Sequence, residues 1–356
     1  MSEPIRLPGL IDVHVHFRTP GASHKEDFAS GTAAALAGGF TTVLDMPNTS
    51  PPTVDEAALE AKIALAREQV RCDVGFYAGA REDNAFAVSQ LGDRVVGLKM
   101  YLGQTYGPLL ISQLGAAMGH FVDWRGPGPI AVHAEGLLLA AAIALARATD
   151  SPLHCCHVSR RAEIALIRAV KEQGAPVTCE VTPHHLLLTE RDADRLGPLG
   201  YMKPTLGTES DRQALWDNLD VVDVIASDHA PHTREEKFSA QPPPGVPGLE
   251  TTLPLMWTAV CEGRLSFSRL LKLLSRNPGM IFGVLPTADT WVELDPEAEW
   301  VLGDGPLYTR CGWTPFEGFK VRGRVTRVVL RGQTVFADGE VLAAPGSGRV
   351  IGRRSE

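Results

Sequence analysis

Eight short apolar runs recur along the chain, and a stretch of helical character separates most of them. Parallel strands that are covered on both faces read as continuous apolar runs, and a helix usually returns the chain between them. The alternation therefore predicts a parallel sheet whose strands are linked by helices. The predicted strands are residues 10–17, 41–46, 72–78, 95–102, 129–133, 153–157, 177–181 and 221–226.

Polar side chains collect where these runs end. A doubly wound sheet also alternates strands and helices, but it would not easily bring side chains from five different strands to one point. A (β/α)₈ barrel gathers the carboxyl ends of all its strands at one face. We therefore predict an α/β fold, a TIM-type barrel over residues 9–315. The strand-end residues are His14, His16, Lys99, His133, His157 and Asp228.

The pattern changes near the end of the chain. Residues 320–325, 328–331 and 334–336 read as short β runs, and Asp338-Gly339 is typical of a hairpin turn. These runs predict a small β appendage from residues 1–8 and 316–345, formed mainly by the C-terminal segment. Residues 346–356 contain Gly and Arg and are predicted to be a flexible tail.

Composition excludes some classes of function. A formal net charge of −8 argues against a nucleic-acid partner, which would need a basic face. Apolar runs stay shorter than the roughly 18 residues that span a bilayer, and the first eight residues lack the apolar centre of a signal peptide. Six cysteines are few for 356 residues and are expected to be reduced. We expect a cytoplasmic protein with no membrane partner.

The sequence His14-Val15-His16 is half of a metal site. Residues two apart in a strand point the same way, so both imidazoles face one side and can bind one ion. Lys99 is either a snorkelling lysine or, after CO₂ adds to its amine, a carbamate that bridges two metals. His133 and His157 would each give a nitrogen to the second metal. Asp228 can cap a helix, or ligate a metal and take up a proton.

Five further residues are ambiguous. Glu180 is either a carboxylate near the metals or a paired structural group. Alternation along a regular strand places Cys156 on the face opposite His157. It also turns His154 away from His157, to pack or to lie at the surface. His184 and His185 are equally open. Arg18 and Asn48, by contrast, read together as a clamp for a substrate carboxylate.

These residues resemble those of one known family. It is similar to the dihydroorotases of the amidohydrolase superfamily, and most of all to the dihydroorotase domain of animal multifunctional pyrimidine-synthesis proteins. His-x-His alone would indicate only an amidohydrolase; Arg18, the Met-Pro-Asn-Thr run at 46–49 and a Pro-rich loop narrow the resemblance. Its strongest stretches are residues 7–12, 24–32, 226–232, 242–245 and 313–318.

The resemblance implies two zinc ions, a carboxylated Lys99, a bridging hydroxide and Asp228 as proton shuttle. It implies reversible cyclisation of N-carbamoyl-L-aspartate to L-dihydroorotate in pyrimidine synthesis. A third zinc would use Cys156 and Glu180, against the alternation argument. The implied metal ligands are His14, His16, Lys99, His133, His157 and Asp228, and the implied substrate contacts are Arg18, Asn48, His232, Lys203, Gly248, Thr105 and Tyr106.

Two positions depart from the family pattern. Lys203 stands where relatives have Arg or Asn, so it offers the substrate a point charge without a fork. Tyr106 stands where many relatives have Phe. Three alternatives stay open: a hydantoinase, an allantoinase, or an inactive scaffold for aspartate transcarbamoylase. A homodimer is expected because two-fold homo-oligomers are the commonest soluble assemblies, and an association with aspartate transcarbamoylase is a further expectation of the resemblance.

Overall fold

The computed structural model describes residues 3–352. After a short strand β1 (Ile5–Pro8), eight parallel strands hydrogen-bond side by side in chain order. The ring closes through a bridge between Val15 and His229, where the His16 N–H donates to the His229 carbonyl at 2.8 Å. The predicted barrel is confirmed. Its strands are β2 (Leu10–Val15), β3 (Phe40–Asp45), β4 (Asp73–Gly79), β5 (Gly97–Tyr101), β6 (Ile130–His133), β7 (Leu153–Cys155), β8 (Val177–Val181) and β9 (Val224–Ile225).

Helices surround the strands. The first begins at Phe28, because the Asp27 carboxylate accepts the Ser30 N–H at 2.8 Å and caps the helix there. A π-helical turn, Lys272–Arg276, joins the last two. The helices are α1 (Phe28–Ala37), α2 (Glu56–Arg67), α3 (Ala85–Ser89), α4 (Leu114–Asp123), α5 (Leu137–Thr149), α6 (Arg161–Glu172), α7 (Pro183–Leu187), α8 (Glu190–Leu196), α9 (Glu209–Asp217), α10 (Arg234–Lys237), α11 (Leu249–Cys261), α12 (Phe267–Leu271) and α13 (Asn277–Phe282).

An antiparallel sheet forms the appendage. Its strands are β10 (Trp291–Val301), β11 (Lys320–Leu330), β12 (Gln333–Ala337) and β13 (Glu340–Val341), and β1 completes it in the order β1-β10-β11-β12-β13. The sequence pattern did not predict β10. The register of this strand shifts between Asp295 and Glu299, around Pro296, so its alternation is interrupted.

The C-terminal segment is not a loose tail in its described part, which corrects the prediction for residues 346–352. Strand β14 (Val350–Ile351) pairs in parallel with Val74 and Gly75 of β4. Strand β5 pairs with β4 only from Tyr77 onward, so the first half of β4 has an open edge that β14 fills. Residues 353–356, also predicted as tail, lie outside the described residues.

A cluster of buried apolar side chains from around the ring fills the barrel interior. Phe282 of α13 belongs to it and meets Tyr77 and His154 edge-on, at ring-centroid distances of 5.9 and 5.2 Å. A larger cluster packs the helices onto the outside of the strands. The polar end of the barrel therefore lies next to an apolar core. Within residues 3–352, no helix combines the length and apolar character needed to span a membrane.

Candidate metal centre and active site

The first group of predicted ligands converges at the carboxyl end of the barrel. The Nε2 atoms of His14 and His16 lie 3.3 and 3.4 Å from the same Asp228 oxygen. Their ring centroids are 5.4 Å apart. Candidate ligand atoms of all three residues lie within 4.8 Å of one another, and all three side chains are buried. This arrangement can hold one divalent ion.

A second group lies beside it. His133 Nδ1 is 2.8 Å from His157 Nε2, and the His157 ring lies 5.3 Å from that of His14. The remaining ring nitrogens, His133 Nε2 and His157 Nδ1, are buried and have no hydrogen-bond partner among the described residues. Buried ring nitrogens without partners are costly. The two nitrogens that converge, His133 Nδ1 and His157 Nε2, are the ones placed to share one ion.

Lys99 lies between the two groups. Its side chain is fully buried and lines the cavity that both groups of ligands also line. It donates to Cys156 Sγ at 3.0 Å. It forms no ion pair with a carboxylate in residues 3–352. A buried ammonium without a counter-charge is unfavourable, and an ammonium cannot ligate a metal. Lys99 can join this set as a ligand only if its amine carries a carboxylate, as a carbamate would provide.

The histidines are in the form that metals require. Burial lowers the pKa of His14, His16, His133 and His157 below that of a free imidazole. Each ring is therefore neutral near pH 7 and has a lone pair available for a metal.

Hydrogen bonds orient the first pair. Asn48 Oδ1 lies 2.8 Å from His16 Nδ1, and Glu180 Oε1 lies 2.5 Å from His14 Nδ1. Both contacts favour a proton on Nδ1 and direct Nε2 toward Asp228. Burial opposes charge on Glu180, but hydrogen bonds from His14 and His154 hold the pKa of its carboxyl below the ordinary value.

Cys156 faces the site, so the alternation argument that turned it away from His157 is wrong. Strand β7 ends at Cys155, and His157 has a φ of 34°, so the two residues do not follow strand geometry. The Cys156 sulfur, the Glu180 carboxylate and a His14 nitrogen form a second possible ligand triplet within 4.8 Å. Burial raises the pKa of the Cys156 thiol to about 12, so without a metal the thiol is protonated.

The other ambiguous histidines are buried. His154 Nε2 lies 3.1 Å from Glu180 Oε2, so His154 supports the site and is not a surface group. His185 Nε2 bonds to the Pro204 carbonyl at 3.1 Å. His184 Nε2 has no partner in the described chain. His229 turns away from the metal ligands toward Glu26, at 3.2 Å.

Three site residues adopt a left-handed backbone. Arg18 has a φ of 59°, His157 of 34° and Asp228 of 46°. Non-glycine residues seldom take these angles, and such strain collects at functional sites. It turns each side chain into the cavity where a regular strand would direct it elsewhere.

The predicted substrate contacts fall into two sets. Arg18, Asn48, Lys203, Thr105 and Tyr106 line the same cavity as the metal ligands. Arg18 Nε donates to the Pro231 carbonyl at 3.1 Å. The Lys203 side chain has no hydrogen bond or ion pair to the described part of the chain, so its charge is free for a ligand.

Two predicted contacts lie behind the cavity wall. The Gly248 N–H donates to His229 Nδ1 at 3.2 Å. The wall nearby is formed by Pro244 and Gly245. His232 is fully buried behind Arg18, with its Nε2 3.1 Å from the Arg18 guanidinium.

Sequence reasoning missed three residues of this region. Tyr101 lines the cavity, and its buried hydroxyl has no hydrogen-bond partner among the described residues. It stands two residues after Lys99 in β5, a spacing that could have revealed it. Asp12 accepts the N–H groups of His14 and Ser227, and burial raises its pKa to about 7. Lys25 reaches His232, and no pattern in the sequence marks it.

Comparison with known proteins agrees with this geometry. Residues 5–102 match the model of the amidohydrolase family. The chain is 51% identical over 97% of its length to the Multifunctional protein pyr1-3 of Dictyostelium discoideum, but it spans only 16% of that protein. It is 37% identical to the dihydroorotase of Pyrococcus abyssi, covering 98% of this chain and 87% of the relative.

Solved structures agree on the fold. The L-hydantoinase of Arthrobacter aurescens superposes with a TM-score of 0.93 at 26% identity, covering 98% of this chain and 89% of that one. The inactive dihydroorotase-like domain of the Chaetomium thermophilum CAD-like multifunctional protein superposes with a TM-score of 0.83 at 27% identity, covering 98% and 99%. Together with the sequence relatives, these structures show that the chain has the fold of the amidohydrolases and belongs to the dihydroorotase family of hydrolases.

Proposed function

We propose that this chain catalyses the reversible cyclisation of N-carbamoyl-L-aspartate to L-dihydroorotate and water. One observation carries the proposal: a single cavity is lined by both groups of metal ligands and by Arg18 and Lys203. Ring opening needs an activated water and a polarised amide. Both N-carbamoyl-L-aspartate and L-dihydroorotate carry a carboxylate, and a cationic wall of the cavity can recognise it.

The proposed zinc ligands follow the two groups. His14, His16 and Asp228 would hold one ion, His133 and His157 the other, and a carboxylated Lys99 would belong to both. When bound, two such ions polarise the ring carbonyl and generate a nucleophile from water at neutral pH. The neutral, buried histidines and the two converging ring nitrogens of the second group support this assignment.

Asp228 is the proposed proton carrier. Burial raises the pKa of its carboxyl above the ordinary value, although His14 and Lys99 oppose that shift. A carboxylate beside the activated water can accept its proton and return it to the ring nitrogen that leaves. In the direction of cyclisation the same group takes the proton from the ureido nitrogen.

Arg18 is the proposed main contact of the substrate carboxylate, with Lys203 adding a point charge across the cavity. Asn48 and His232 flank Arg18, and Thr105 and Tyr106 cover the cavity from the segment 103–108. The N–H of Gly248 is directed to His229, so we leave Gly248 out of the proposed contacts.

A third zinc at His14, Cys156 and Glu180 is the alternative to an orienting role for Glu180. The grouping of their ligand atoms within 4.8 Å supports it. Glu180 has a competing role as the partner that orients His14, and the protonated Cys156 thiol favours that role in the absence of metal. The two roles differ in how many ions the chain binds.

We also propose a homodimer that works beside aspartate transcarbamoylase in the cytoplasm. Helices α3, α4 and α5 contact one another in order and expose Phe86, Leu114 and Leu137 by 73, 65 and 89%. Exposed apolar side chains on neighbouring helices are a feature of protein interfaces. Similarity to a segment of a multifunctional protein supports the enzyme partner, and six cysteines without a disulfide support a reducing compartment.

Turnover tests the function directly. The zinc-loaded chain is assayed with L-dihydroorotate, hydantoin and allantoin, beside Lys99→Ala. We expect turnover of dihydroorotate alone, and none in the variant. Turnover of hydantoin instead would favour the second candidate, a hydantoinase, which the likeness to L-hydantoinase suggests. Loss of all turnover with two ions bound would favour the scaffold, as the inactive Chaetomium domain illustrates.

A further inference from the structure

One buried lysine outside the metal centre joins three parts of the active site. Lys25 lies between β2 and α1 and is 5% exposed. Its Nζ is 3.1 Å from His232 Nδ1, 3.2 Å from the Tyr106 hydroxyl and 3.0 Å from Glu236 Oε1. These partners come from the loop after β9, the segment 103–108 and helix α10. All three donors of the ammonium are thereby used.

The contact with His232 decides which nitrogen of that ring carries the proton. An ammonium only donates, so His232 Nδ1 must accept, and the proton sits on Nε2. His232 Nε2 lies 3.0 Å from the Pro244 carbonyl, which accepts that proton. Lys25 therefore holds His232 as a neutral ring whose N–H faces the guanidinium side of the pocket.

This tautomer leaves two donors side by side. Arg18 Nη2 is 3.1 Å from His232 Nε2, and with the proton on Nε2 neither group can accept from the other. The other hydrogen bond of Arg18, from Nε to the Pro231 carbonyl, does not use Nη2. Arg18 Nη2 thus lacks an acceptor in the described chain, and a carboxylate oxygen placed there would supply one.

The second partner of Lys25 covers this pocket. Tyr106 accepts from Lys25 through its hydroxyl and from Asn48 Nδ2 through its carbonyl, at 2.9 Å. Its ring lies edge-on to His232 at 5.1 Å and 5.0 Å from the Arg18 guanidinium carbon. The segment 103–108 is consequently held closed at two points, and one of them is Lys25.

We propose that Lys25 is a positioning residue that couples closure of the segment 103–108 to the carboxylate pocket. It sets the His232 tautomer beside Arg18 and holds the Tyr106 hydroxyl with the same ammonium. The inference rests on the proposed function for the identity of the carboxylate, but the coupling itself is a property of the chain.

The test compares Lys25→Met, Lys25→Arg and Tyr106→Phe in the zinc-loaded protein. Methionine keeps the length of the side chain and removes its donors. We expect Lys25→Met to raise KM for dihydroorotate by about tenfold or more, the equivalent of one charge-assisted hydrogen bond. Its kcat should change far less, because the metal ligands are untouched. Lys25→Arg should restore part of the loss, and Tyr106→Phe should show a smaller rise in KM.

Amide hydrogen exchange of the segment 103–108 is the second readout, with metal content and melting temperature recorded for each variant. We expect faster exchange there in Lys25→Met and Tyr106→Phe, and no change in β6 or β7. Unchanged exchange in the segment, or a loss of kcat with KM constant, would overturn the proposal. If the wild type does not turn over dihydroorotate, the proposed function fails, while the exchange data still decide the role of Lys25.

Discussion

Replacing Glu180 by glutamine separates its two candidate roles. The substitution keeps the shape of the side chain and removes its charge. Glu180 Oε1 accepts from His14 Nδ1 at 2.5 Å and from the His157 N–H at 3.0 Å, while Oε2 lies 3.1 Å from His154 Nε2. Carboxylates that orient ligating histidines change metal affinity by about 10–100-fold. That range corresponds to about 1.4–2.7 kcal/mol of binding free energy.

The assay is zinc competition against a chromophoric chelator, with the number of ions per chain counted at saturation. Glu163→Gln is the matched control, because Glu163 is also buried and accepts backbone N–H groups of Gly136 and Ser159 at 3.0 and 3.1 Å, away from the metal ligands. We expect weaker zinc binding at unchanged stoichiometry in Glu180→Gln, and wild-type binding in Glu163→Gln.

Two results would refute the orienting role. Binding curves of Glu180→Gln that coincide with the wild type would show that the charge does not reach His14. A loss of one ion per chain, with the affinity of the others unchanged, would instead identify Glu180 as a direct ligand of a third zinc.

Three further predictions follow. Tyr101→Phe should raise KM for dihydroorotate by roughly 3–10-fold at unchanged melting temperature, because its unpartnered hydroxyl is worth about one hydrogen bond to a ligand; unchanged steady-state kinetics would contradict this. Burial raises the pKa of Glu250 from 4.5 to about 7, so the folded chain binds the extra proton between those values and loses up to roughly 3 kcal/mol of stability as pH rises. Urea unfolding at pH 5 and 8 should show a loss of stability that is smaller by this amount in Glu250→Gln than in the wild type, because Asp12, whose pKa is also raised, titrates in both chains. Gly31→Ala should lower the free energy of unfolding by about 1–3 kcal/mol, because the added Cβ would clash with the Phe17 ring. A Cβ added at Gly115 meets no neighbour, so Gly115→Ala should melt like the wild type or higher.

Much of the site followed from strand periodicity. The barrel places every strand end at one face, so a polar residue at the end of an apolar run is directed toward a common point. His14 and His16 could be paired from their spacing alone, and His133 and Asp228 from their place after a run. The structure brings His14, His16 and Asp228 together within a few ångströms and places His133 in the same cavity.

The failures have physical causes of their own. Cys156 was placed on the wrong face because strand alternation ends at Cys155, and no local pattern announces the left-handed turn at His157. Strand β10 was missed because Pro296 and a register shift interrupt it. Lys25 acts through contacts with Tyr106 and His232, which lie 81 and 207 positions further along the chain. Periodicity does not report contacts of this kind.

The backbone angles of Arg18, His157 and Asp228 have a consequence for anyone who would transfer this site to another scaffold. Copying the side chains onto a regular barrel would point these three residues away from the cavity. The recipient must also reproduce three left-handed turns, each opposed by the intrinsic preference of an L-amino acid. The smallest portable unit of this centre is therefore the barrel rim with its loops, and a list of ligands is not enough to rebuild it.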